Sequence, residues 1–515
     1  MGKGVQQKWV RVVFRQRVFI IAVLLVQLVF ILFLTAGSSL VFRYVDYMLS
    51  ALSIIVCLYI LNKQEKDGYK LTWIFLILLF PIVGGVVYVI FHTQVTPGKL
   101  RRRMKDSDKE YRPLFLLPGD SLPVLGTEHP ECLPQVRYLQ KYAGYPVYTR
   151  TTTAYYSSGE AFFEQVVKDL EKAEKYIFME FFILRRGIML DPIIDILEKK
   201  AREGLDVRLI YDDLGCFMSL PPNFDKHLEQ KGIKCIVFNP FKPILSSLQN
   251  NRDHRKIVCI DGKVAFTGGM NLADEYINAK ERFGHWKDAA IRIEGEAAWS
   301  MTLIFLQMWN LDRPGKDKSE TFYPWKDESC GIESTGFVQP YADSPIDEEN
   351  VGEHVYIQII NNAKEYVYIN TPYLVVDENL LSALTLSAKS GVDVRIITPH
   401  RWDQWIVAIT SRSYYRQLIT AGVRVYEYTQ GFNHSKTFVS DDRVATVGTT
   451  NLDFRSLYLH FECGVWIYKT AAVAAVKQDF LNTLPVCHEI TLKDCARNAL
   501  QRIVQDVLRL FAPLM

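Results

Sequence analysis

The chain has 515 residues, of which 49% are hydrophobic, and it carries a formal net charge of +3. A chain of this length is expected to form more than one domain, each with its own core. The hydrophobic content and the small net charge exclude a disordered chain and give no general signature of nucleic-acid binding. The nine cysteines form no C-x-x-C pair. They therefore indicate neither a disulfide framework nor a zinc site.

Three apolar stretches, 18–34, 47–61 and 71–91, lie within the first hundred residues. A helix of about 20 apolar residues crosses a bilayer, so the first and third stretches are long enough and the second is slightly short. The first stretch is long for a cleaved signal peptide, and further apolar stretches follow it. We therefore predict an uncleaved, multi-pass anchor in the cell membrane.

The charges around these stretches leave the topology open. Five basic residues and no acidic one precede the first stretch, which favours a cytoplasmic N-terminus: Lys3, Lys8, Arg11, Arg15 and Arg17. The segment 99–112 is also basic, yet three full spans would put it on the opposite side. Pro81, Gly84 and Gly85 interrupt the third stretch, which could be re-entrant or broken. The basic segment could equally bind anionic headgroups. We expect the catalytic part on the cytoplasmic face.

From about residue 113 the pattern is that of a soluble α/β protein. An amphipathic helix containing Phe162, Val166 and Leu170 precedes a strand in 173–184, and a second helix, a glycine and a buried strand follow. Two later segments, 363–374 and 379–399, repeat this order. We predict the α/β class, with two tandem α-β-α halves related by pseudo-two-fold symmetry. The predicted domains are an N-terminal anchor with a basic collar (1–112), a first half (113–335) and a second half (336–515).

An internal repeat carries the residues of greatest chemical interest. Six pairs share a spacing of 180 residues: His254 and His434, Lys256 and Lys436, Asp261 and Asp441, Gly268 and Gly448, Asn271 and Asn451, and Leu272 and Leu452. A single H-x-K-x4-D motif could be chance or a solvated polar face, but two matching copies indicate a duplication. Histidine and lysine two residues apart on a strand share one face. At a pseudo-two-fold interface, both copies would surround one anionic group such as phosphate.

The two motifs, each followed by G-x2-N, resemble those of the phospholipase D superfamily. The stretches NNRDHRKIVCIDGKVAFTGGMNLADEY and FNHSKTFVSDDRVATVGTTNLDFRSL, the apolar N-terminal segments and the terminal RLFAPLM resemble bacterial cardiolipin synthases over most of the chain. The additional first apolar stretch departs from many members. The resemblance implies two phospholipase D-like halves and a transferase that joins two phosphatidylglycerols into cardiolipin and releases glycerol.

The resemblance also implies roles for the two histidines. One becomes a phosphohistidine, and the other acts first as an acid and then as a base. We assign His254 as the nucleophile and His434 as the acid, and the pseudo-symmetry leaves the reverse assignment open. A neutral imidazole can attack phosphorus, and a protonated one can donate to the leaving oxygen.

The remaining polar residues of the repeat are expected to bind the phosphate. Lys256 and Lys436 would hold its non-bridging oxygens together with Asn271 and Asn451, so we expect neither a metal nor a cofactor.

Four acidic residues are further candidates for the site. A histidine is normally held in one tautomer by a carboxylate, and Asp288 and Glu462 occupy equivalent strands of the two halves. Asp261 and Asp441 belong to the motif and are counted with the catalytic group, although they could instead brace the turn that follows each motif strand.

Three other functions stay open. A hydrolytic phospholipase D differs only in using water to resolve the intermediate, whereas a nuclease would need a basic and aromatic groove that the sequence lacks. A non-catalytic lipid-binding scaffold would usually have lost one H-x-K pair. The resemblance implies phosphatidylglycerol and cardiolipin in the membrane as partners. No nucleic acid is expected, and the oligomeric state is left open.

Several other features have simpler interpretations. His285 and His460 are interpreted as structural or pocket-lining, and the segment 239–248 as a membrane-contacting loop or a packing element. The C-terminal segment has one apolar helical face, formed by Leu500, Val504, Val507, Leu508 and Phe511. We predict that this face packs into a core.

Overall fold

The computed structural model describes Leu25 and residues 40–63, 66–92, 98–240, 250–311, 317–325, 330–347 and 349–514. The chain divides into two compact units. The N-terminal unit comprises residues 1–98, 241–250 and 506–515, and the larger unit comprises residues 99–240 and 251–505. The first apolar stretch, apart from Leu25, and most of the segment 239–248 lie outside the described residues.

The N-terminal unit contains the helices α1 (Leu40–Leu61), α2 (Asp67–Leu79) and α3 (Pro81–His92). The third predicted apolar stretch is therefore broken, because Pro81 lacks an amide hydrogen and its ring obstructs the preceding turn. Gly84 allows α2 and α3 to approach closely, since a β-carbon there would lie 2.5 Å from the carbonyl oxygen of Leu76. Within the described ranges, no helix has both the length and the apolar character needed to cross a membrane.

Helices and strands alternate through the larger unit, as the sequence pattern predicts. The helices that follow α3 are α4 (Gly98–Phe115), α5 (Leu122–Glu128), α6 (Leu133–Tyr138), α7 (Gly159–Glu171), α8 (Leu190–Arg202), α9 (Asp213–Cys216), α10 (Phe224–Gln230), α11 (Glu296–Asn310), α12 (Val351–Asn362), α13 (Glu378–Lys389), α14 (Trp405–Thr420), α15 (Phe454–Tyr458), α16 (Ala471–Thr483) and α17 (Ala499–Leu510). Shorter turns are a π-helix at Leu139–Ala143 and 3-10 helices at Asp274–Ile277, Ser319–Phe322, Leu484–Val486 and Ala512–Leu514.

The strands fall into two sets of similar order. The first set is β1 (Thr151–Tyr156), β2 (Tyr176–Phe181), β3 (Asp206–Asp212), β4 (Lys234–Phe238), β5 (Arg252–Asp253), β6 (Ile257–Ile260), β7 (Val264–Gly268), β8 (His285–Lys287) and β9 (Ala290–Gly295). The second set is β10 (Phe337–Asp343), β11 (Tyr366–Asn370), β12 (Leu374–Val375), β13 (Asp393–Pro399), β14 (Arg424–Tyr428), β15 (Gly431–Asn433), β16 (Thr437–Ser440), β17 (Val444–Gly448), β18 (Leu452–Asp453), β19 (His460–Tyr468) and β20 (Cys487–Glu489).

Each half forms one large mixed sheet, and the two sheets have the same strand order. The first sheet runs β1-β9-β7-β6-β2-β3-β4, and the second runs β10-β19-β17-β16-β11-β13-β14-β20. The seven strands of the first sheet thus have counterparts in the same order in the second. This duplicated mixed α/β architecture confirms the tandem halves predicted from the sequence.

Hydrophobic cores pack against the sheets of both halves. One core packs side chains of α7, α8 and α10 against the first sheet. The other joins residues of both sheets to α11 and α16, and includes Trp299, Phe305, Val473 and Phe480. Burial of large apolar side chains from both halves stabilises them as one body.

Two short parallel strand pairs cross between the halves. In the first pair, β5 of the first half lies beside β19 of the second half. In the second pair, β15 of the second half lies beside β8 of the first half. Because β5 and β15 run directly into the two histidines of the repeat, these pairs determine where the histidines lie.

The predicted core packing of the C-terminal helix is wrong. No residue of α17 is buried, although its apolar side chains do form one face. Leu500, Ile503, Val504 and Val507 have exposed fractions of 71, 59, 42 and 44%. Burial begins only after the helix, at Ala512 and Pro513. Helical periodicity shows that a face is apolar, but not which surface covers it.

Candidate active site

The crossing strand pairs place each repeat histidine beside a strand of the opposite half. The amide of His254 donates to the carbonyl of Phe461 at 3.0 Å, and the amide of His434 donates to the carbonyl of Lys287 at 2.7 Å. In each case, the residue after the accepting carbonyl is an acid: Glu462 or Asp288. The register of the two crossing strand pairs therefore places each histidine beside a carboxylate of the other half.

Both histidine rings are hydrogen-bonded to these carboxylates. His254 Nδ1 lies 2.9 and 3.0 Å from the two carboxylate oxygens of Glu462, and His434 Nδ1 lies 2.7 Å from Asp288 Oδ2. Thr449 donates its hydroxyl to Glu462, and both carboxylates are fully buried. With a proton held on Nδ1, each neutral ring carries its lone pair on Nε2, as a nucleophile or a base requires.

The two lysines of the repeat are buried in the same site. Lys256 and Lys436 are each 2% exposed, and each donates to the carbonyl oxygen of its own motif histidine. Burial lowers the pKa of Lys256 to about 8 and that of Lys436 to about 7, while the charges of Glu462 and Asp288 oppose this change. Because carboxylates from both halves act on both lysines, the predicted residues form one site and not two.

Both histidines favour the neutral form in this environment. Burial, followed by the positive charge of Lys436, lowers the pKa of His434 to about 4, although Asp288 opposes the shift. Burial and the charges of Lys256 and Lys436 hold the pKa of His254 well below its usual value. A phosphate anion between the rings would raise both pKa values and allow one ring to carry a proton.

Asp261 and Asp441 have a different environment from the other predicted residues. The carboxylate of Asp261 accepts hydrogen bonds from three successive backbone amides, at residues 174–176, over 2.8 to 2.9 Å. Asp441 does the same at residues 364–366, over 2.7 to 3.0 Å. Both aspartates also have a positive φ, near 54° and 53°. These contacts agree with the bracing role that the sequence left open, and the assignment of the two residues to the catalytic group stays a prediction.

The two asparagines predicted to bind substrate differ in their contacts. Asn271 accepts from the amide of Ile183 at 2.9 Å and donates to the hydroxyl of Tyr276 at 2.6 Å, so its side chain braces the protein. Asn451 is buried, and its side-chain oxygen has no hydrogen-bond partner among the described residues. This oxygen is an acceptor, so it could take a hydrogen bond from a hydroxyl of a ligand but could not hold a phosphate oxygen.

Aromatic rings pack against both histidines, and sequence reasoning missed most of them. Trp286 and Tyr276 lie 5.3 and 5.6 Å from the ring of His434, between centroids. Phe182 lies 5.2 Å from the ring of His254. Spacing from the motifs does not point to these positions, since Trp286 lies on β8, Tyr276 in the 3-10 helix Asp274–Ile277 and Phe182 directly after β2. Rings of this size exclude water from the histidines.

His460 is the second ring against His254, with the ring centroids 5.5 Å apart. It stands two residues before Glu462, as Trp286 stands two residues before Asp288, so equivalent positions hold a polar and an apolar ring. Nδ1 of His460 lies 3.7 Å from Glu462 Oε1, beyond hydrogen-bond distance, and burial lowers the pKa of His460 to about 4 although Glu462 opposes the shift. His460 therefore lines the site. His285 instead contacts the hydroxyl of Tyr428 at 2.9 Å, which is a structural role.

Within the part of the chain that the structure describes, one group of side chains has the spacing of metal ligands. His254, His460 and Glu462 each offer one potential ligand atom, and these three atoms lie within 4.8 Å of one another. The positive charges that lower the pKa of His254 belong to Lys256 and Lys436, and the same charges oppose a divalent cation. The electrostatics of the site therefore suit a phosphate anion better than a metal ion.

Family comparison agrees with this arrangement. The family described as cardiolipin synthase, PLD-like domain, matches residues 166–309 and 356–484. The chain belongs to the cardiolipin synthase family of phospholipase D-like proteins. A second family, described as phospholipase D-nuclease N-terminal, matches residues 49–91 of the N-terminal unit. As a member of the cardiolipin synthase family, the protein is an enzyme of the phosphatidyltransferase type.

Individual relatives cover most of the chain. An uncharacterized protein of Streptococcus mutans is 42% identical over 460 residues, which are 89% of this chain and 99% of that protein. A cardiolipin synthase of Halalkalibacterium halodurans is 32% identical over 502 residues, which are 95% of this chain and 99% of that enzyme. The crystal structure of phosphatidylserine synthase from Haemophilus influenzae matches with a TM-score of 0.55 at 15% identity, covering 74% of this chain and 97% of that one. At that identity, the likeness shows a shared fold.

Proposed function

We propose that the enzyme joins two phosphatidylglycerol molecules into cardiolipin and releases glycerol. The observation that carries this proposal is the pair of reciprocal histidine–carboxylate contacts, one from each half, beside two buried lysines. One neutral imidazole, a second imidazole that becomes protonated beside the bound phosphate, and two lysine cations match the needs of phosphodiester exchange: a nucleophile, a proton donor and charge on the phosphoryl oxygens.

In the first step, Nε2 of His254 attacks phosphorus of the first lipid, and the phosphorus–oxygen bond to the terminal glycerol breaks. His434, protonated beside the bound phosphate, gives its proton to the departing oxygen, and free glycerol leaves. The phosphatidyl group is then bonded to His254. The carboxylate of Glu462 stabilises the positive charge that this ring acquires. Lys256 and Lys436 bind the non-bridging oxygens throughout.

The second step reverses these roles. His434 now accepts the proton of the terminal hydroxyl of the second phosphatidylglycerol, and that oxygen attacks phosphorus. The phosphorus–nitrogen bond breaks, which releases cardiolipin and restores neutral His254. One phosphodiester is formed for each one broken, so the reaction is nearly balanced and excess glycerol should drive it backwards.

We propose that the enzyme works at the cell membrane, with the catalytic residues on the cytoplasmic face. Its lipid substrates reside in the bilayer, and the N-terminal unit exposes large apolar side chains, including Met48, Ile55 and Leu78. Insertion of this unit as a multi-pass anchor would remove those side chains from water. It would also hold the site where phosphatidylglycerol is concentrated, which favours the lipid alcohol over water as the acceptor.

The decisive experiment is to incubate the purified full-length enzyme with vesicles of phosphatidylglycerol alone and to identify the products. We expect cardiolipin and glycerol in equal amounts, little phosphatidic acid, and loss of cardiolipin when glycerol is added in excess. Phosphatidic acid as the main product would show hydrolysis instead of transfer. The absence of any turnover would favour a lipid-binding scaffold.

Substitution of each histidine tests the two-histidine mechanism. His254→Ala and His434→Ala should each abolish turnover while the protein stays folded, because one ring cannot act on both sides of phosphorus. Substantial activity in either variant would contradict the mechanism. A phosphoenzyme trapped only in His434→Ala supports His254 as the nucleophile, whereas one trapped only in His254→Ala reverses the assignment.

A further inference from the structure

The C-terminal helix α17 has an apolar face that no described residue covers. Leu500, Ile503, Val504 and Val507 follow the helical spacing of three and four residues, and all four are exposed. The intervening positions are polar and include Arg502. Because an apolar strip of this kind gains free energy when it leaves water, its exposure indicates a partner surface.

The end of α17 is firmly attached to helix α2 within the N-terminal unit. The hydroxyl of Thr72 donates to the carbonyl of Leu510 at 2.6 Å. The rings of Phe511 and Phe75 meet edge to face, with centroids 6.2 Å apart. Pro513 is buried, and its side chain lies 3.3 Å from the point where a β-carbon on Gly68 would stand. The C-terminal end of α17 is therefore held against α2 by a hydrogen bond, a ring contact and close packing.

The apolar surface continues from the end of α17 onto α2. Phe75 contacts Phe511, and its neighbours Leu71, Leu78 and Leu79 on α2 are exposed. The family model for the N-terminal segment covers all of α2. A surface that covers this part of α2 would therefore reach the end of α17 as well.

The length and the charge of α17 indicate that the surface covering its apolar face is a lipid surface. Its 12 residues extend about 18 Å as a helix, and a bilayer core is about 30 Å thick, so α17 is too short to cross. Its polar face carries Arg502 and Arg509 against one acid, Asp506, and Arg497 precedes it. An amphipathic helix with basic residues on the polar face lies in the plane of an anionic membrane.

We propose that α17 is an interfacial helix, which lies in the membrane surface with its apolar face among the acyl chains of anionic phospholipids. This inference rests on the proposed function, since phosphatidylglycerol supplies the anionic lipid. It adds a second membrane contact close to the end of the chain. The two contacts flank the active-site residues in sequence and are joined through Leu510 and Phe511.

Two adjacent positions on opposite faces of α17 provide a matched test. Val507→Cys lies on the apolar face and Asp506→Cys on the polar face, and both native side chains are exposed. In the full-length protein, Cys487 and Cys495 are first replaced by serine, since the other native cysteines are buried. Each variant is labelled with an environment-sensitive fluorophore and mixed with vesicles of phosphatidylglycerol or phosphatidylcholine, with or without brominated acyl chains.

We expect brominated phosphatidylglycerol to quench the label at residue 507 at least twofold more than the label at residue 506. Quenching should be weaker in phosphatidylcholine, because the arginines then face a neutral surface. Equal quenching at both positions, or none at either, would refute the interfacial helix. Protection of residue 507 from aqueous quencher without quenching by bromolipid would also refute it and would indicate cover by another protein surface.

The same vesicles separate this inference from the proposed function. Cardiolipin formation is measured on each labelled protein alongside the fluorescence. Quenching at residue 507 without cardiolipin formation would support the helix and reject the reaction. Cardiolipin formation without quenching would support the reaction and reject the helix.

Discussion

Replacement of Glu462 by glutamine isolates the carboxylate that holds His254. Glutamine keeps the length of the side chain and one oxygen, but it lacks the negative charge that faces His254 Nδ1 at 2.9 and 3.0 Å. The carboxylate is fully buried, so water does not screen it. A hydrogen bond to a charged group contributes about 1.5–3 kcal/mol. If this stabilisation is missing when His254 becomes cationic in the reaction, the barrier rises by the same amount and kcat falls by about 10- to 150-fold.

The assay measures cardiolipin formation by full-length variants in vesicles that contain saturating phosphatidylglycerol. Asp288→Asn makes the equivalent change beside His434 and should lower kcat by a similar factor. Glu489→Gln is the matched control, because Glu489 is an exposed carboxylate paired with Arg424 at the surface. Thermal unfolding of each variant shows whether the fold is retained.

Two results would refute this reasoning. The first is a Glu462→Gln variant that keeps kcat within twofold of the wild type while the Glu489→Gln control is also unchanged. The second is a rise in KM at constant kcat, which would assign Glu462 to substrate binding instead of to stabilisation of the charged histidine.

Four further outcomes are expected. The lysines are charged below their pKa values, about 8 for Lys256 and about 7 for Lys436, so kcat/KM should fall as the pH rises through 7 and 8; a flat profile to pH 10 would contradict this. EDTA should leave the rate within about twofold, and a complete loss restored by one divalent ion would reject phosphate binding by the lysines. Asp441→Asn, which loses one of three amide contacts, should lower the free energy of unfolding by about 1–3 kcal/mol with little change in kcat, and the opposite pattern would support a catalytic role instead. His460→Phe should lower kcat/KM about tenfold without lowering the unfolding temperature, because it removes two nitrogens that make no hydrogen bond with the described residues; unchanged kcat/KM would make His460 merely structural.

The presence of two matching halves could be predicted from the sequence, because the repeated motifs are recognised by their spacing. His254 and His434 stand in identical motifs 180 residues apart. The predicted strand geometry of each motif is less accurate, because the histidine and the lysine lie between two strands and not on one. The acids Asp288 and Glu462 could be identified by their equivalent positions. Their exchange between halves could not, since it depends on how two sheets meet in space.

For the C-terminal helix and the motif aspartates, the sequence predicts the local pattern but not the surroundings of the side chains. The period of Leu500, Val504 and Val507 predicts a helix with one apolar face, but the period alone does not show whether that face packs into the protein or stays uncovered. Asp261 and Asp441 belong to the motif as firmly as the histidines do. The backbone amides that donate to their carboxylates favour bracing over catalysis, and the sequence does not show where those amides lie.

The exchange of carboxylates makes the two halves dependent on each other. A first half expressed alone would contain Asp288 without the histidine that it binds, and His254 without its acceptor. A chain with one motif could therefore build this site only as a symmetric dimer. Fusion into one polypeptide removes that symmetry, and each side of the site can then change separately: Trp286 faces one histidine where His460 faces the other. Two inactive chains, each damaged in a different half, should fail to rescue one another unless they exchange whole halves.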